Sequence, residues 1–281
     1  MKRIAILGPG LLGGSIALKL RAIGGSHVAL WARRAEAVEE IRARGCADVA
    51  STDVREIVRG ADIVIFCVPV GAMPALAREI AGELRADTIV TDVGSVKANV
   101  VAELSSIFAG RAQFVGSHPM AGSEFTGLKA ARANLFEGTT CIVTPGDSSE
   151  AVEKVSAFWQ SLGCRVAQLA AAEHDECVAL ISHLPHLVAG TLVRTVLAKN
   201  PHAFNVVGPG FRDTTRVASG PPPLWVEILR ENSTAVVAAL DAMIAKLAEF
   251  RQTLAPQSDP QALHDLLAEA KHTRDQITFP K

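Results

Sequence analysis

The sequence predicts an α/β protein with two parts. Residues 1–169 are expected to form a doubly wound, mostly parallel sheet, and residues 170–281 an all-α domain. Three observations lead to this fold class: β-branched runs alternate with helical patterns, a glycine-rich turn lies at the first strand-to-helix junction, and strand patterns stop near residue 170. At 281 residues the chain is long enough for two domains with separate cores.

The N-terminal strands are expected where apolar and β-branched residues cluster between turn signals. The run at 62–68 is apolar on both faces, which is typical of a sheet covered by helices on each side. A helix over 151–162 and a strand over 165–169 are expected to close the domain. The predicted strands that precede this final helix and strand are 4–7, 27–31, 62–68, 88–93, 113–115 and 139–143.

Helical periodicity replaces the strand signal in the second part. A helix is expected over 171–199, with Pro185 kinking or breaking it. Apolar residues at alternating spacings of four and three predict a long amphipathic helix over 236–254, followed by a last helix over 261–277. This much apolar helical face predicts burial against a second subunit, so we expect a homodimer formed through the C-terminal helices.

Charge and composition exclude several classes of protein. The 28 basic and 29 acidic residues leave no positive field to hold nucleic acid. The longest apolar run read here, 63–77, is interrupted by proline and glycine and is shorter than the roughly 20 residues of a membrane span. Five scattered cysteines indicate reduced thiols, and the N-terminus lacks a secretory pattern. We therefore expect a cytoplasmic protein without nucleic-acid or membrane partners.

A G-x-G-x-x-G turn lies directly after the first strand pattern and opens the first helix. Gly8 would allow the tight turn, Gly10 close approach of the backbone to a pyrophosphate, and Gly13 close helix–strand packing. With Leu11 and Leu12 at the helix N-terminus, the free peptide N–H groups would face the phosphates. This context predicts a Rossmann domain that binds a dinucleotide.

The end of the second strand lacks the acidic residue that commonly binds the adenosine ribose. The chain there continues into Arg33 and Arg34, and arginine binds a 2′-phosphate well. We therefore expect NADP, with NAD as the alternative if both arginines are only solvated.

Residue types narrow the class of dehydrogenase. The chain has no tyrosine, which excludes the short-chain dehydrogenase mechanism with its Tyr and Lys. His183 and His186 make a poor metal pair without a third ligand nearby, so no metal is expected. Histidine is then the best proton acceptor near neutral pH.

Four further segments carry a family resemblance. Behind the glycine-rich turn they follow in the order 92–97 (DVGSVK), 116–124 (GSHPMAGSE), 182–186 (SHLPH) and 211–218 (FRDTTRVA). Together they closely resemble prephenate dehydrogenases, and the resemblance spans the chain from Gly8 to about Trp225. It implies oxidative decarboxylation of prephenate to 4-hydroxyphenylpyruvate, with hydride transfer to the dinucleotide, in tyrosine biosynthesis.

The resemblance assigns His118 as the hydrogen-bond acceptor for the substrate hydroxyl, with Ser95 beside it. Both residues follow strand patterns, so the residues themselves also predict a place at the carboxyl edge of the sheet. Pro119 favours an extended His118. The alternative for His118 is a structural histidine that ends a strand.

The resemblance gives Arg216 the ring carboxylate of prephenate and lets His183 line the site. It places Trp225 and Glu124 near the side-chain end of the substrate, whereas the role of His186 stays open. Three of these residues also have a simpler interpretation. Arg216 could form a helix ion pair with Asp213, His183 could be a core histidine, and Trp225, opening a long amphipathic helix, could be plain core.

Three other functions fit the same pattern less well. Arogenate differs from prephenate only by an amino group on the side chain, and the sequence barely separates the two substrates. A β-hydroxyacid dehydrogenase would need a catalytic lysine, but Lys199 and Lys246 lack the expected neighbours. A dinucleotide-sensing protein without chemistry would need no proton acceptor.

Overall fold

The computed structural model describes residues 2–123 and 125–277. Its main sheet has six parallel strands in the order 3-2-1-4-5-6, the arrangement of a dinucleotide-binding fold. The predicted parallel sheet is confirmed, and Val49–Ser51 is a strand that the sequence analysis missed. The strands are β1 (Lys2–Leu7), β2 (Ser26–Trp31), β3 (Val49–Ser51), β4 (Ile63–Phe66), β5 (Ile89–Asp92) and β6 (Gln113–Val115).

Helices cover both faces of this sheet. Along β1, Ile4 and Ile6 belong to one buried cluster, whereas Ala5 and Leu7 belong to another on the opposite face. Successive side chains of a strand point to opposite faces, which is why the strands are apolar throughout. The helices of this layer are α1 (Leu11–Ile23), α2 (Ala35–Arg44), α3 (Val54–Val58), α4 (Met73–Ile80) and α5 (Ala98–Phe108).

The end of the N-terminal part differs from the expectation of one sheet. The chain leaves the main sheet at Gly116, where an added Cβ would lie 2.5 Å from Oγ1 of Thr144. It then forms a separate sheet of three strands, the first pair antiparallel and the second parallel. Its elements are β7 (Ser117–Pro119), β8 (Thr140–Val143), the helix α6 (Ser149–Ser161) and β9 (Arg165–Gln168).

The second part is helical, as predicted. Its first two helices are joined by a π-helical turn, Ala179–His183, immediately before Pro185. Such a turn accommodates a residue that disturbs the hydrogen-bond ladder, so the helix deviates here but does not stop. The helices are α7 (Ala171–Val178), α8 (Leu184–Lys199), α9 (Pro209–Thr215), α10 (Pro222–Glu231), α11 (Ser233–Thr253) and α12 (Pro260–Gln276).

Trp225 does not open a long amphipathic helix, contrary to the sequence analysis. It lies in the ten-residue helix α10, which ends before α11 begins. Asn232 separates the two helices with a backbone at φ −109° and ψ 27°, outside the helical region. The periodic apolar pattern therefore belongs to α11 alone.

Many apolar side chains of the helical part face outward in the single chain. Its own buried cluster holds only Ala179, Val236 and Ala239, whereas Ile244 and Leu247 on α11 are exposed. Faces of this kind are typical of surfaces that pack against another subunit. They fit the predicted homodimer.

One helical stretch, Ala171–Lys199, is long and apolar enough to cross a membrane by length and composition, a property that the sequence analysis did not weigh for this helix. The core helices of soluble proteins meet the same test, so this is a weak indication. The stretch also carries His174, Asp175 and His183, which are buried in the structure.

Candidate active site

A cleft of about 730 Å³ lies between the carboxyl edge of the main sheet and the helical part. Parallel sheets bind ligands at this edge, where the strand order reverses. The cleft brings together residues that are far apart in the sequence. Among the predicted site residues it is lined by Gly10, Leu11, Leu12, Ser95, His118, His183, Arg216 and Trp225.

The glycine-rich turn occupies the reversal point between β1 and β4. Gly8 has φ +119°, and a Cβ there would lie 2.5 Å from the carbonyl oxygen of Cys67. A Cβ on Gly13 would lie 2.0 Å from the carbonyl oxygen of Gly8. A Cβ on Gly10 would meet no atom within 4 Å, because that position faces the cleft. Gly8 and Gly13 are required by the fold, whereas Gly10 leaves room for a pyrophosphate on the N-terminus of α1.

Arg33 and Arg34 follow β2 directly and are both exposed, outside the lining of the cleft. Arg34 precedes the first residue of α2 without capping it through its side chain. The nearby Trp31 indole is held by a 3.0 Å hydrogen bond from its Nε1 to the carbonyl oxygen of Thr52. Within residues 2–123 and 125–277, no ion pair or side-chain hydrogen bond holds either guanidinium group.

His118 lies within β7, where it pairs with Ile142 of β8, and only 8 % of the residue is exposed. Its Nδ1 lies 2.8 Å from Nε2 of His174. In the part of the chain that the structure describes, its other ring nitrogen has no hydrogen-bond partner. Burial, with smaller contributions from electrostatic interactions with His174, Lys97 and His183, holds the pKa of His118 well below 6.5. The imidazole is therefore neutral at physiological pH and lines the cleft.

Asp175 lies behind this histidine pair. Its Oδ1 accepts hydrogen bonds from Nδ1 of His174 at 2.8 Å and from the peptide N–H of Lys97 at 2.7 Å. Its Oδ2 accepts from the peptide N–H of Ala98 at 2.8 Å. Burial alone would raise the pKa of Asp175, but the hydrogen bonds from His174, Ala98 and Lys97 outweigh it and lower the pKa. Asp175 is thus an ionised carboxylate at the N-terminus of α5.

A second buried charged pair holds the loop that carries Ser95. The Nζ of Lys97 donates to Oδ2 of Asp92 at 2.5 Å, and both side chains are fully buried. Asp92 also accepts from the peptide N–H of Gly94 at 2.8 Å and from that of Ser117 at 3.0 Å. Asp92 therefore connects the Ser95 loop to the strand of His118. Ser95 itself is half-buried and lines the cleft.

His183 is 1 % exposed and ends the π-helical turn. The side-chain amide nitrogen of Asn232 donates to the carbonyl oxygen of Asp175 at 2.7 Å and lies 3.3 Å from Nδ1 of His183. Because a carbonyl oxygen can only accept, this nitrogen is the donor in both contacts, and Nδ1 of His183 is the acceptor. Burial, partly opposed by Asp175 and assisted by His174 and His186, lowers the pKa of His183 to about 4. The neutral ring then carries its proton on Nε2, which is buried with no partner in residues 2–123 and 125–277.

Trp225 forms a stack that leaves His186 outside the cleft lining. The His186 and Trp225 rings lie 3.6 Å apart with an angle of 9° between their planes. The indole of Trp225 also packs tightly against Gly220, where an added Cβ would lie 2.2 Å from the indole Nε1. His183 meets the same indole edge-on at 6.3 Å. In this arrangement His186 supports Trp225.

Arg216 is exposed at the end of α9 and lines the cleft. No ion pair joins it to Asp213 in the described ranges, so the helix ion pair considered above is absent there. Glu124, the other predicted contact near the substrate side chain, lies outside the described residues. The described residues also hold no group of three or more His, Cys, Asp or Glu placed to bind a metal ion.

The sequence analysis missed five polar residues of this site. Two of them, Asp92 and Lys97, stood at the ends of a segment from which only Ser95 was chosen. The pair His174-Asp175 could have been noticed as a polar pair in the alanine-rich start of α7, whereas Asn232 gave no signal. The five are Asp92, Lys97, His174, Asp175 and Asn232.

A Rossmann domain, a glycine turn open toward a cleft and a buried neutral histidine beside it define a two-domain dehydrogenase that uses a nicotinamide dinucleotide. Two family models match the chain: prephenate dehydrogenase, nucleotide-binding domain, over residues 16–168, and prephenate dehydrogenase, dimerization domain, over residues 170–269. The chain belongs to the prephenate dehydrogenase family.

Individual relatives agree with this assignment. The cyclohexadienyl dehydrogenase of Zymomonas mobilis is 36% identical over 264 residues, which cover 91% of this chain and 89% of that protein. The prephenate dehydrogenase of Bacillus subtilis is 34% identical, over 97% of this chain and 75% of its own length. Prephenate dehydrogenase from Aquifex aeolicus, solved with hydroxyphenyl propionate and NAD+, superposes with a TM-score of 0.91 at 31% identity, covering 99% of each chain. Synechocystis arogenate dehydrogenase gives a TM-score of 0.84 at 30% identity, over 98% of this chain and 99% of its own.

Proposed function

We propose that this chain catalyses the oxidative decarboxylation of prephenate to 4-hydroxyphenylpyruvate, a step of tyrosine biosynthesis, with hydride transfer to NADP or NAD. One observation carries the proposal: a single cleft joins the open face of the dinucleotide turn at Gly10 to the neutral ring of His118. Relatives named for prephenate, over most of this chain, support the choice of substrate.

In this proposal His118 accepts the proton of the substrate hydroxyl, and Ser95 lies beside it. A nicotinamide dinucleotide bound at the glycine turn would supply the hydride acceptor for the carbon that carries this hydroxyl. As the ring carboxylate leaves as carbon dioxide, the electrons of the broken bond make the ring aromatic and the oxygen takes the proton back from His118. General-base assistance of this kind typically contributes about 10² to 10⁴ in rate.

Prephenate carries two carboxylates, so its pocket needs cations and hydrogen-bond donors. We assign the ring carboxylate to Arg216, which lines the cleft and which forms no ion pair with Asp213, the alternative considered above, in the described residues. His183 lines the cleft, and its buried Nε2–H has no partner within the described residues; we propose it as a donor to the bound substrate. Trp225 would contact the side-chain end of the substrate, and Glu124 keeps the role that the family resemblance implies.

We propose NADP as the preferred cofactor, with NAD as the alternative. Exposed Arg33 and Arg34 at the end of β2, and the absence of an acid there, support NADP. The Aquifex relative was solved with NAD+, so both cofactors belong in the assay.

Arogenate is the second candidate substrate, favoured by the cyclohexadienyl and arogenate dehydrogenases among the relatives. The deciding experiment measures kcat/KM for prephenate and arogenate side by side, with each cofactor. Prephenate should be used at least as well as arogenate. A much higher kcat/KM for arogenate would make that the substrate, and tight dinucleotide binding without turnover of either compound would favour a sensing role.

We also propose a homodimer formed through the C-terminal helices, with the domains meeting at residues 169 and 170. The outward apolar faces of α11, the match to a dimerization domain and the end of β9 at Gln168 support this organisation. A monomeric mass in light scattering at micromolar concentration would contradict the dimer.

Five free cysteines in the reduced state fit a cytoplasmic location, which cell fractionation would test.

A further inference from the structure

Three groups form a hydrogen-bonded chain that ends at the cleft. The Asp175 carboxylate contacts Nδ1 of His174 at 2.8 Å, and Nε2 of His174 contacts Nδ1 of His118 at 2.8 Å. An ionised carboxylate can only accept hydrogen bonds, so Nδ1 of His174 carries a proton. When His174 is neutral, its Nε2 can then only accept, and Nδ1 of His118 must be the donor.

We propose that His174 and Asp175 are positioning residues that fix His118 in the tautomer with its proton on Nδ1. Nε2 of His118 is then the unprotonated nitrogen, able to accept the substrate hydroxyl proton. Which ring nitrogen of a histidine is protonated is generally set by the hydrogen bond of the other nitrogen. The catalytic meaning of this arrangement rests on the proposed function, but the arrangement itself does not.

In the alternative proton arrangement, the hydrogen bond between His174 and His118 would run in the opposite direction. A doubly protonated His174 would donate from Nε2 to His118, whose proton would move to Nε2 and prevent it from accepting. In the proposed arrangement the Asp175 carboxylate accepts from the peptide N–H groups of Lys97 and Ala98 at the start of α5 as well as from Nδ1 of His174. A helix N-terminus stabilises a carboxylate there. The measured tautomer of His118 decides between the two arrangements.

The surrounding structure keeps these three hydrogen-bonded side chains in one geometry. His174 is fully buried and Asp175 is 6 % exposed, so no bulk water competes for their hydrogen bonds. His118 is held by the pairing of β7 with β8, and His174 and Asp175 by the first turns of α7. A proton-acceptor chain on such rigid elements keeps its acceptor oriented before the substrate arrives.

The direct test is the tautomer of His118, measured by NMR on the full chain labelled with ¹⁵N at histidine. His118→Asn would identify the His118 signals by their loss. We expect a protonated Nδ1 and an unprotonated Nε2 in the wild type at neutral pH, without any substrate. A His118 ring that carries its proton mainly on Nε2 would overturn the inference, whatever the substrate proves to be.

Two replacements of His174 give a kinetic test. His174→Phe keeps the ring volume but removes the acceptor, whereas His174→Gln can place its side-chain oxygen near the former Nε2. We expect His174→Phe to lower kcat on the order of 10- to 100-fold, as for orienting partners of metal-bound histidines. The KM for the dinucleotide should stay within about 2-fold, and His174→Gln should recover much of kcat. Equal losses in both variants, with equal losses of melting temperature, would indicate a merely structural role.

The two tests separate the inference from the proposed function. The expected tautomer in a protein that turns over neither cyclohexadienyl substrate would leave the inference standing and remove the function. Turnover of prephenate with the opposite tautomer would do the reverse.

Discussion

The side chain of Asn232 joins the main chain of Asp175 to the ring of His183. Its amide nitrogen donates to the Asp175 carbonyl oxygen at 2.7 Å and contacts Nδ1 of His183 at 3.3 Å. Asp175 thus acts on two histidines, on His118 through its carboxylate and on His183 through its carbonyl group. In the arrangement proposed above, Nδ1 is a donor in His118 and an acceptor in His183, so the two rings would offer one acceptor and one donor to a substrate.

Replacing Asn232 with alanine should destabilise the protein, because it leaves the buried Nδ1 of His183 without a donor and removes one of the two donors to the Asp175 carbonyl oxygen, which also accepts from the peptide N–H of Ala179. A buried polar group left without its partner costs about 1 to 3 kcal/mol. Denaturant unfolding would measure the difference. Asn99→Ala is the matched control, since this exposed residue bonds only Glu231, at 3.2 Å, in the described part of the chain. If both variants lose the same stability, the buried amide has no special role.

Replacing His118 with asparagine should lower kcat by about 10² to 10⁴ and leave dinucleotide affinity unchanged. The pH profile is a second measurement. From the sequence, activity is expected to fall as pH drops through about 6.5. Because burial lowers the pKa of His118, the ring stays neutral to lower pH, and the acid limb of kcat/KM should lie below 6.5. An acid limb that persists in His118→Asn would mean that another group is the base.

Alanine at two glycines of the dinucleotide turn should have opposite effects. Gly10→Ala meets no atom within 4 Å, so the melting temperature of the ligand-free protein should hold while dinucleotide affinity falls. Gly13→Ala would place a Cβ 2.0 Å from the Gly8 carbonyl oxygen and should destabilise the fold itself. Thermal unfolding and a binding titration separate the two. Unchanged affinity in Gly10→Ala would argue against a pyrophosphate at this position.

Replacing Arg216 with alanine should mainly raise the KM for prephenate. A charge-assisted hydrogen bond is worth about 1.5 to 3 kcal/mol, which corresponds to roughly 10- to 150-fold. Arg111→Ala, another exposed arginine but away from the cleft, is the control and should leave KM unchanged. An unaltered KM with a lower melting temperature would assign Arg216 a structural role.

Replacing both Arg33 and Arg34 with alanine should raise the KM for NADP much more than that for NAD. Only NADP carries the 2′-phosphate, so NAD serves as the internal control in the same protein. Better use of NAD than of NADP by the wild type at equal concentration would refute the preference.

The sequence was sufficient for five of the six strands of the main sheet, because their signals are local. The apolar run at 62–68 and the glycines after β1 identify their elements without knowledge of any partner. The short strands were harder. Val49–Ser51 and Ser117–Pro119 have three residues each, too few for a periodic pattern, and only their pairing makes them strands.

The residues of the site also fall into those with a local sequence signal and those without one. Ser95, His118 and Arg216 stand in recognisable segments, and the cleft contains all three. Asn232 could not be found in this way, since its importance comes from contacts with residues 49 and 57 positions away in the sequence. Asp175 could have been noticed beside His174 as a polar pair, but its role could not, because its partners Lys97 and Ala98 lie across the boundary between the two parts of the chain.

The π-helical turn at Ala179–His183 makes the site depend on the number of residues in this helix as well as on their identity. A π turn holds one residue more than an α turn, and each α-helical residue turns the chain by about 100°. Deleting one residue of the turn would leave a continuous and equally apolar helix, but His183 would rotate relative to Asp175 and away from Asn232. Single-residue insertions and deletions between Asp175 and His183 should therefore be absent from active relatives, even where the residues themselves vary.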